Sequence, residues 1–321
     1  MGILIWVMAT LVAGSLLYSL LSALAAFRYL AAAAPPAAAV REPISILKPL
    51  SGLDQGLEEN LRGYFIQDYG EQDFGANGEN DSSSVARPLF ELIFAVRHES
   101  DPCVALVRRL CAEYPNVPAR LIVTGEPPYP HAKVYSLARM MAQARHDLVV
   151  MSDSDVRVTR DFLRHVSAEF ADGEVALATC PYRAIPGSST WSCMEAVGMN
   201  TTFWQGALTA RLLEGMAFAV GPTTVARRKF MDGAGGIESL KDHMAEDFEL
   251  GRRMAAAGHR VILSSYVVEH RIGSDNPTQN FLHRIRWART GRRSRRSGYI
   301  GQIFTYPVPL ALLLWAIAPF A

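Results

Sequence analysis

Val149-Val150-Met151-Ser152-Asp153-Ser154-Asp155 is an apolar run that ends in two carboxylates one residue apart. With helical periods on either side, the run reads as a buried strand, and in a strand side chains i and i+2 share a face. Asp153 and Asp155 can then point the same way where the strand gives way to a loop. Two such carboxylates suit a divalent cation that clamps a diphosphate. The same residues also fit a plainer role, a helix cap or Asx-turn after a buried strand. The surrounding sequence has to decide between the two.

Outward from this run, short apolar segments alternate with helical periods. Strands are predicted at Ile44–Leu47, Phe90–Val96, Arg120–Thr124, Asp147–Ser152 and Val175–Thr179, and helices between them at Leu57–Gln67, Cys103–Tyr114, Lys133–Arg145 and Arg160–Phe170. This alternation predicts an α/β fold with a mostly parallel central sheet covered on both faces, in which ligands bind beyond the carboxyl ends of the strands. Further on, the pattern predicts a helical stretch around Trp191–Leu213, a strand-like run Met216–Val220 and a helix Met244–Ala257. Gly70–Pro88 has no hydrophobic period and reads as a surface loop without chemistry.

The chain has 321 residues and a formal charge of +1, which gives no overall bias toward nucleic acid. Residues 1–27 carry no charged side chain, and roughly twenty apolar residues suffice to cross a bilayer core as a helix. The stretch lacks the basic start of a secretory signal and is longer than its usual apolar core, so it is expected to be a membrane anchor. An Ala/Pro linker occupies residues 28–42, with Ala31–Ala39 its densest part, and the catalytic domain is placed at 43–275. Residues 276–300 are expected to form an amphipathic interfacial segment, and 301–321 the start of a C-terminal membrane region that the sequence cuts short. Arg28 flanks the first apolar segment and Arg289, Arg292, Arg293, Arg295 and Arg296 the second, which the positive-inside rule puts in the cytosol. Cys103, Cys111, Cys180 and Cys193 have no metal-type spacing and stay reduced there. The location this implies is a membrane, with residues 43–275 on the cytosolic side.

Two later segments bear on chemistry. Glu246 and Asp247 fall in the first turn of the helix predicted from Met244. Complementing the helix dipole would alone explain them, but a second acidic pair downstream of Asp153 and Asp155 invites a shared site. In Phe281-Leu282-His283-Arg284-Ile285-Arg286-Trp287-Ala288-Arg289, Arg286 can neutralise a leaving diphosphate, and Trp287 can stack on a sugar or line an acceptor channel. The competing reading is an interfacial helix with arginines snorkelling to headgroups. His131, His243 and His270 fit no metal spacing and read as surface or packing residues.

Taken in order, these pieces resemble the ceramide glucosyltransferase family and its bacterial relatives in hopanoid biosynthesis, membrane-bound glycosyltransferases of the nucleotide-diphospho-sugar transferase (GT-A) fold. The resemblance runs from about Ile44 to Arg289. Its carriers are Leu47-Lys48-Pro49-Leu50-Ser51-Gly52-Leu53-Asp54, Asp101-Pro102, Lys133, Asp153-Ser154-Asp155-Val156-Arg157-Val158, Ala245-Glu246-Asp247-Phe248 and Arg286-Trp287. The resemblance implies contacts to the uridine and its phosphates from Lys48, Pro49 and the neighbourhood of His98 and Glu99. It implies metal and diphosphate binding by Asp153 and Asp155, and a general base at Asp247. Arg286 and Trp287 match the end of a Q/R-x-x-R-W signature. Lys133 and Glu246 join the donor-binding set. This chain departs from the family pattern twice. Arg97-His98-Glu99-Ser100-Asp101 puts the base-binding carboxylate at Glu99 or Asp101, and the first signature residue is His283, a smaller donor that can still reach a phosphate.

The implied activity is inverting transfer of one sugar from a UDP-sugar, UDP-glucose or UDP-N-acetylglucosamine, to a hydroxyl of a membrane lipid, a hopanoid or ceramide, with Mn²⁺ or Mg²⁺. The partners are thus nucleotide sugar, lipid acceptor and bilayer, and no nucleic acid. Two alternatives stand beside it. One is a processive polysaccharide synthase of the cellulose or hyaluronan type, which shares the carboxylates and the arginine-tryptophan element. The other is a membrane-tethered nucleotide-sugar or lipid-binding protein without turnover.

Overall fold

The computed structural model describes residues 2–32, 41–72, 87–273 and 276–318. Most of the Ala/Pro linker and the centre of the Gly70–Pro88 loop lie outside the described residues. The chain divides into two compact units, one of residues 33–197 and 216–276, the other of 1–32, 198–215 and 277–321. Residues 198–215, expected inside the catalytic domain, therefore group with the terminal segments.

The first unit is built on strands β1 (Ile44–Pro49), β2 (Glu71–Gln72), β3 (Arg87–Pro88), β4 (Phe90–Val96), β5 (Ala119–Val123), β6 (Leu148–Ser152), β7 (Val156–Arg157), β8 (Val175–Thr179), β9 (Tyr182–Pro186), β10 (Thr223–Arg227), β11 (Arg260–Leu263) and β12 (Val268–Ile272). Seven of them form one sheet in the order β11-β8-β10-β6-β1-β4-β5. All neighbours in it run parallel except β10, which is antiparallel to both β6 and β8. Every residue of β4, β6 and β8 is buried, as expected of strands covered on both faces. Helices α2 (Leu57–Phe65), α3 (Cys103–Glu113), α4 (Ala132–Met141) and α5 (Phe162–Ala168) fall where the apolar periods predicted them.

Two expectations are corrected here. Met216–Val220 is irregular, and the strand lies further on at Thr223–Arg227. Gly215 (φ 78°) and Gly221 (φ 90°) bracket the apolar run in left-handed conformations that break a ladder, and only Phe218 and Ala219 of the run are buried. β6 ends at Ser152, as predicted, but Asp153–Asp155 form the tight turn into β7, so the i, i+2 face of a strand does not set the direction of the two aspartates. β7, β12 and β9 make a second, three-stranded sheet.

Around α9 (Glu246–Ala256) the packing is close enough to exclude a side chain. A Cβ on Gly251 would sit 2.2 Å from the backbone nitrogen of Ala219 and 2.5 Å from the carbonyl carbon of Phe218. Glycine there lets the helix press on the 218–219 backbone and fixes the height of its first turn.

The second unit is helical. In α1 (Gly2–Leu30) an 18-residue window has a mean hydropathy of 2.1, making this, among the described residues, the one helix long and apolar enough to cross a membrane. Its buried residues are the small Ser15, Ser22 and Ala25, whereas Trp6, Leu20 and Phe27 are exposed. Small residues let backbones approach, and Ser22 Oγ shares a 2.8 Å hydrogen bond with Thr209 Oγ1 of α7 (Trp204–Glu214). α10 (Pro277–Ser294) follows, then a bent pair, Arg296–Thr305 and Pro307–Ile317, angled at 57°, which also qualifies if counted as one broken span.

Candidate functional site

The carboxyl ends of β1 and β6 lie side by side, with Leu47 opposite Met151, so the last residues of β1, Lys48–Pro49, lie beside the turn that leaves β6, Asp153–Asp155. Lys133, one residue into α4, and the first turn of α9 close over the same place. Residues of β6, α4, the Gly221–Thr224 segment and the first turn of α9 line a cleft whose polar members include Lys133, Asp153, Glu246 and Asp247. Asp153 of the first acidic pair and both members of the second, more than ninety residues on in the chain, thus line one cavity.

Lys133 holds them together. Its Nζ is 2.7 Å from Asp153 Oδ1 and 2.6 Å from Glu246 Oε1. Burial works against the lysine's charge, but the two carboxylates outweigh it and keep Lys133 protonated well above the ordinary lysine range. Glu246 is likewise held far below the usual carboxylate range against the cost of burial, through Lys133 and His131. Asp247 is driven the opposite way. Burial, and then the negative charge of Glu246 beside it, push its carboxyl up to about 7. The amide of Phe248 donates to Asp247 Oδ1 at 2.7 Å, yet this bond and the helix dipole, the latter worth up to ~1 kcal/mol, do not cancel the burial. Adjacent carboxyls pushed to opposite protonation states are a common arrangement for acid–base chemistry.

Asp155 Oδ2 accepts from His270 Nε2 on β12 at 2.9 Å, and despite burial this bond keeps Asp155 below the usual carboxylate range. Its other oxygen, Oδ1, is buried and has no hydrogen-bond partner. Asp153 is raised by burial even with Lys133 against it. An orphaned carboxylate oxygen beside a second carboxylate fits a hard cation, because Mg²⁺-like ions bind through one or two carboxylates and complete their shell with water and substrate phosphate. Among the described residues no group of three or more His, Cys, Asp or Glu is arranged to hold a metal alone.

Other residues singled out in the sequence sit elsewhere. Lys48, expected to contact the donor, has no exposed surface. Its ammonium donates to the backbone carbonyl of Asp153 and lies 4.1 Å from the centre of the Tyr64 ring, and burial lowers its pKa to about 7. Pro49 is the last residue of β1. Asp101 takes both carboxylate oxygens to the amide of Gly52 (3.1 Å) and one to that of Cys103 (3.0 Å), pinning the turn after β1 to the start of α3. Glu99 is exposed and pairs with Arg108, and His98 pairs with Glu126 at 2.9 Å. His283, Arg286 and Trp287 lie on α10 in the helical unit, where the indole of Trp287 donates to His283 Nε2 at 3.0 Å and packs edge-on against Phe203.

Two histidines read from sequence as surface or packing residues belong to the site. His270 is buried against Asp155, and His131 lies 3.4 Å from Glu246. His131 also caps α4 through Nδ1, which accepts from the amide of Val134 at 3.4 Å and leaves Nε2 to carry the proton toward Glu246. Spacing gives no signal for either, since their partners are 115 residues away in each case.

The sequence profile described as Glycosyl transferase family 21 matches residues 5–321. Ceramide glucosyltransferase 1 of Caenorhabditis elegans is 24% identical over 233 residues, covering 70% of this chain and 44% of that protein. Ceramide glucosyltransferase 3 of the same organism is 27% identical over 257 residues, covering 77% and 50%. The chain spans about half the length of these curated relatives. Among solved structures, the mannosyltransferase PcManGT from Pyrobaculum calidifontis in complex with GDP-Man and Mn²⁺ is similar with a TM-score of 0.66 at 18% identity, over 98% of this chain and 87% of that one. That likeness establishes the GT-A fold expected from the sequence.

Proposed function

The chain belongs to glycosyl transferase family 21, and from that premise we propose that it moves one sugar from a UDP-sugar to a hydroxyl of a membrane lipid, with inversion at the anomeric carbon. The observation that carries this reading is the cleft itself, in which Asp247, pushed up to about 7, lines the same cavity as Asp153. A general base works best with a pKa near the operating pH, and Asp247 fits that requirement.

In the proposed reaction Asp247 takes the proton from the acceptor hydroxyl. The new carbon–oxygen bond forms on the face of the sugar opposite the breaking bond to UDP. Asp153 and Asp155, through the orphaned Oδ1, would hold Mn²⁺ or Mg²⁺, which when bound neutralises charge on the diphosphate. Lys133 keeps Asp153 and Glu246 in place, so that Glu246 remains an anion and sustains the basicity of Asp247. His270 fixes the rotamer of Asp155, and Lys48 carries the turn from beneath. Arg286 and Trp287 are assigned, from the family signature, to the leaving diphosphate and the sugar or acceptor channel. In the same reading α1 anchors the chain, with the sheet-bearing unit in the cytosol. The names of the C. elegans relatives favour a ceramide acceptor, and a hopanoid is the alternative that the sequence resemblance supports.

The test is to incubate membranes carrying the full-length protein with labelled UDP-glucose or UDP-N-acetylglucosamine, with Mn²⁺ or with chelator, and to identify the product by mass spectrometry. One sugar on a lipid, dependent on the cation, is the expected result. A polymer, or no UDP release with any lipid, would overturn the reading.

A further inference from the structure

The helical unit is strongly biased in charge. Its three segments carry nine arginines and no lysine against a single carboxylate, Glu214, and from Pro277 to Ala321 there is no acidic residue at all. On α10, Arg286, Arg289 and Arg293 recur at i, i+3 and i+7, and Arg292 borders the same face. All four are exposed, and Arg289 and Arg292 make no ion pair with any described residue. The dipole at the carboxyl end of α10 favours Arg292 and Arg293 in the last turn but does not reach Arg289. Like charges three and four residues apart repel and weaken a helix unless an anion lies between them. Glu214 is already occupied, by Arg295.

The surroundings indicate what that anion belongs to. Phe281 and Leu282 before the arginines, and Ile300, Ile303 and Phe304 after them, are exposed. Aliphatic and aromatic side chains on both flanks of an arginine row match an interface with acyl chains below and phosphates above. A nucleic acid would use the arginines and leave Leu282, Ile300 and Ile303 in water.

We propose that Arg289, Arg292 and Arg293 form a headgroup site for an anionic phospholipid, bound as a partner of the protein and not as its sugar acceptor. The proposal rests on the membrane reading above and is independent of the identity of the acceptor. Basic residues at an anionic surface strengthen association by roughly fivefold each, and the effect fades with salt.

The experiment uses the full chain extracted from vesicles of phosphatidylcholine with phosphatidylglycerol, and counts retained lipids by native mass spectrometry. The wild type is expected to retain phosphatidylglycerol over phosphatidylcholine. The R289Q/R292Q/R293Q variant should lose that preference by roughly fivefold per charge removed, and R289K/R292K/R293K should keep most of it. Equal retention in the wild type and the glutamine variant overturns the site, as does equal loss in the glutamine and lysine variants, which would point to the fold and not to charge. Displacement of the lipid by inorganic phosphate would reassign the site to free anions, and displacement by RNA alone would reassign it to nucleic acid; either result overturns the lipid assignment. Turnover in pure phosphatidylcholine vesicles is read in parallel. Its absence in the wild type would refute glycosyl transfer, while the lipid count still decides the headgroup site.

Discussion

In the sheet-bearing unit charge is paired under cover: Lys133 bridges Asp153 and Glu246, His270 holds Asp155, and the buried Arg227 meets Glu42 at 2.7 Å. In the helical unit nine arginines stand against one carboxylate, and large apolar side chains such as Trp6, Phe281 and Trp315 are exposed. The near-zero net charge of the whole chain conceals this, because the excess of acid in one unit offsets the excess of base in the other. One unit uses low dielectric to tune the protonation of a few carboxyls. The other carries an excess of arginine, which the proposed headgroup site would use. Net charge is therefore informative only per unit, and reading it over the full sequence removed an electrostatic bias that is present.

The comparison is most easily broken at Asp247. If its burial serves chemistry, Asp247→Asn should lower kcat by about 10² to 10⁴ with donor affinity nearly unchanged, as separate measurements of turnover and UDP-sugar binding would show. A smaller effect is expected where the helix bearing Asp247 meets the chain beneath it. Gly251→Ala forces a methyl into the backbone of Phe218 and Ala219, which cannot rotate away. A loss of about 1 to 3 kcal/mol in unfolding free energy should result, read from the denaturant midpoint. The smallest effect belongs to the helical unit, whose contacts do not depend on tuned charge. Ser22→Ala removes the bond to Thr209 and should cost about 1 kcal/mol, measured as detergent-solubilised thermal stability. A larger loss there than at Gly251 would reverse the ranking of the two units as sources of rigidity.

Strands dominated by apolar residues were legible in the sequence: Phe90–Val96, with Glu91 its one charge, and Val175–Thr179 fall where their side chains predict. Strands with polar content were not. Thr223–Arg227 is wholly buried, but Thr223 and Arg227 find partners remote in the chain, Ser152 for Thr223 at 2.9 Å and Glu42 for Arg227. Val268–Ile272 carries Glu269, His270 and Arg271 and gives no apolar period, so the site's second histidine went unread with it. The carboxylates were legible because each closes or opens a regular element, Asp153 a strand and Glu246 and Asp247 a helix. The surroundings of Lys48 were not legible: it lies inside β1, where a backbone carbonyl and a tyrosine ring take its charge. No local pattern encodes that environment.

The most direct test of the central claim is the pH dependence of sugar transfer under saturating donor and acceptor. Asp247 must be ionised to accept a proton, and its carboxyl is pushed up to about 7, so the rate should be full above that value and fall as pH drops through it. Asp247→Asn should remove this limb together with most of the activity. A rate that stays level on acidification to about 5, near the ordinary carboxylate range, would contradict the assignment of Asp247 as the base.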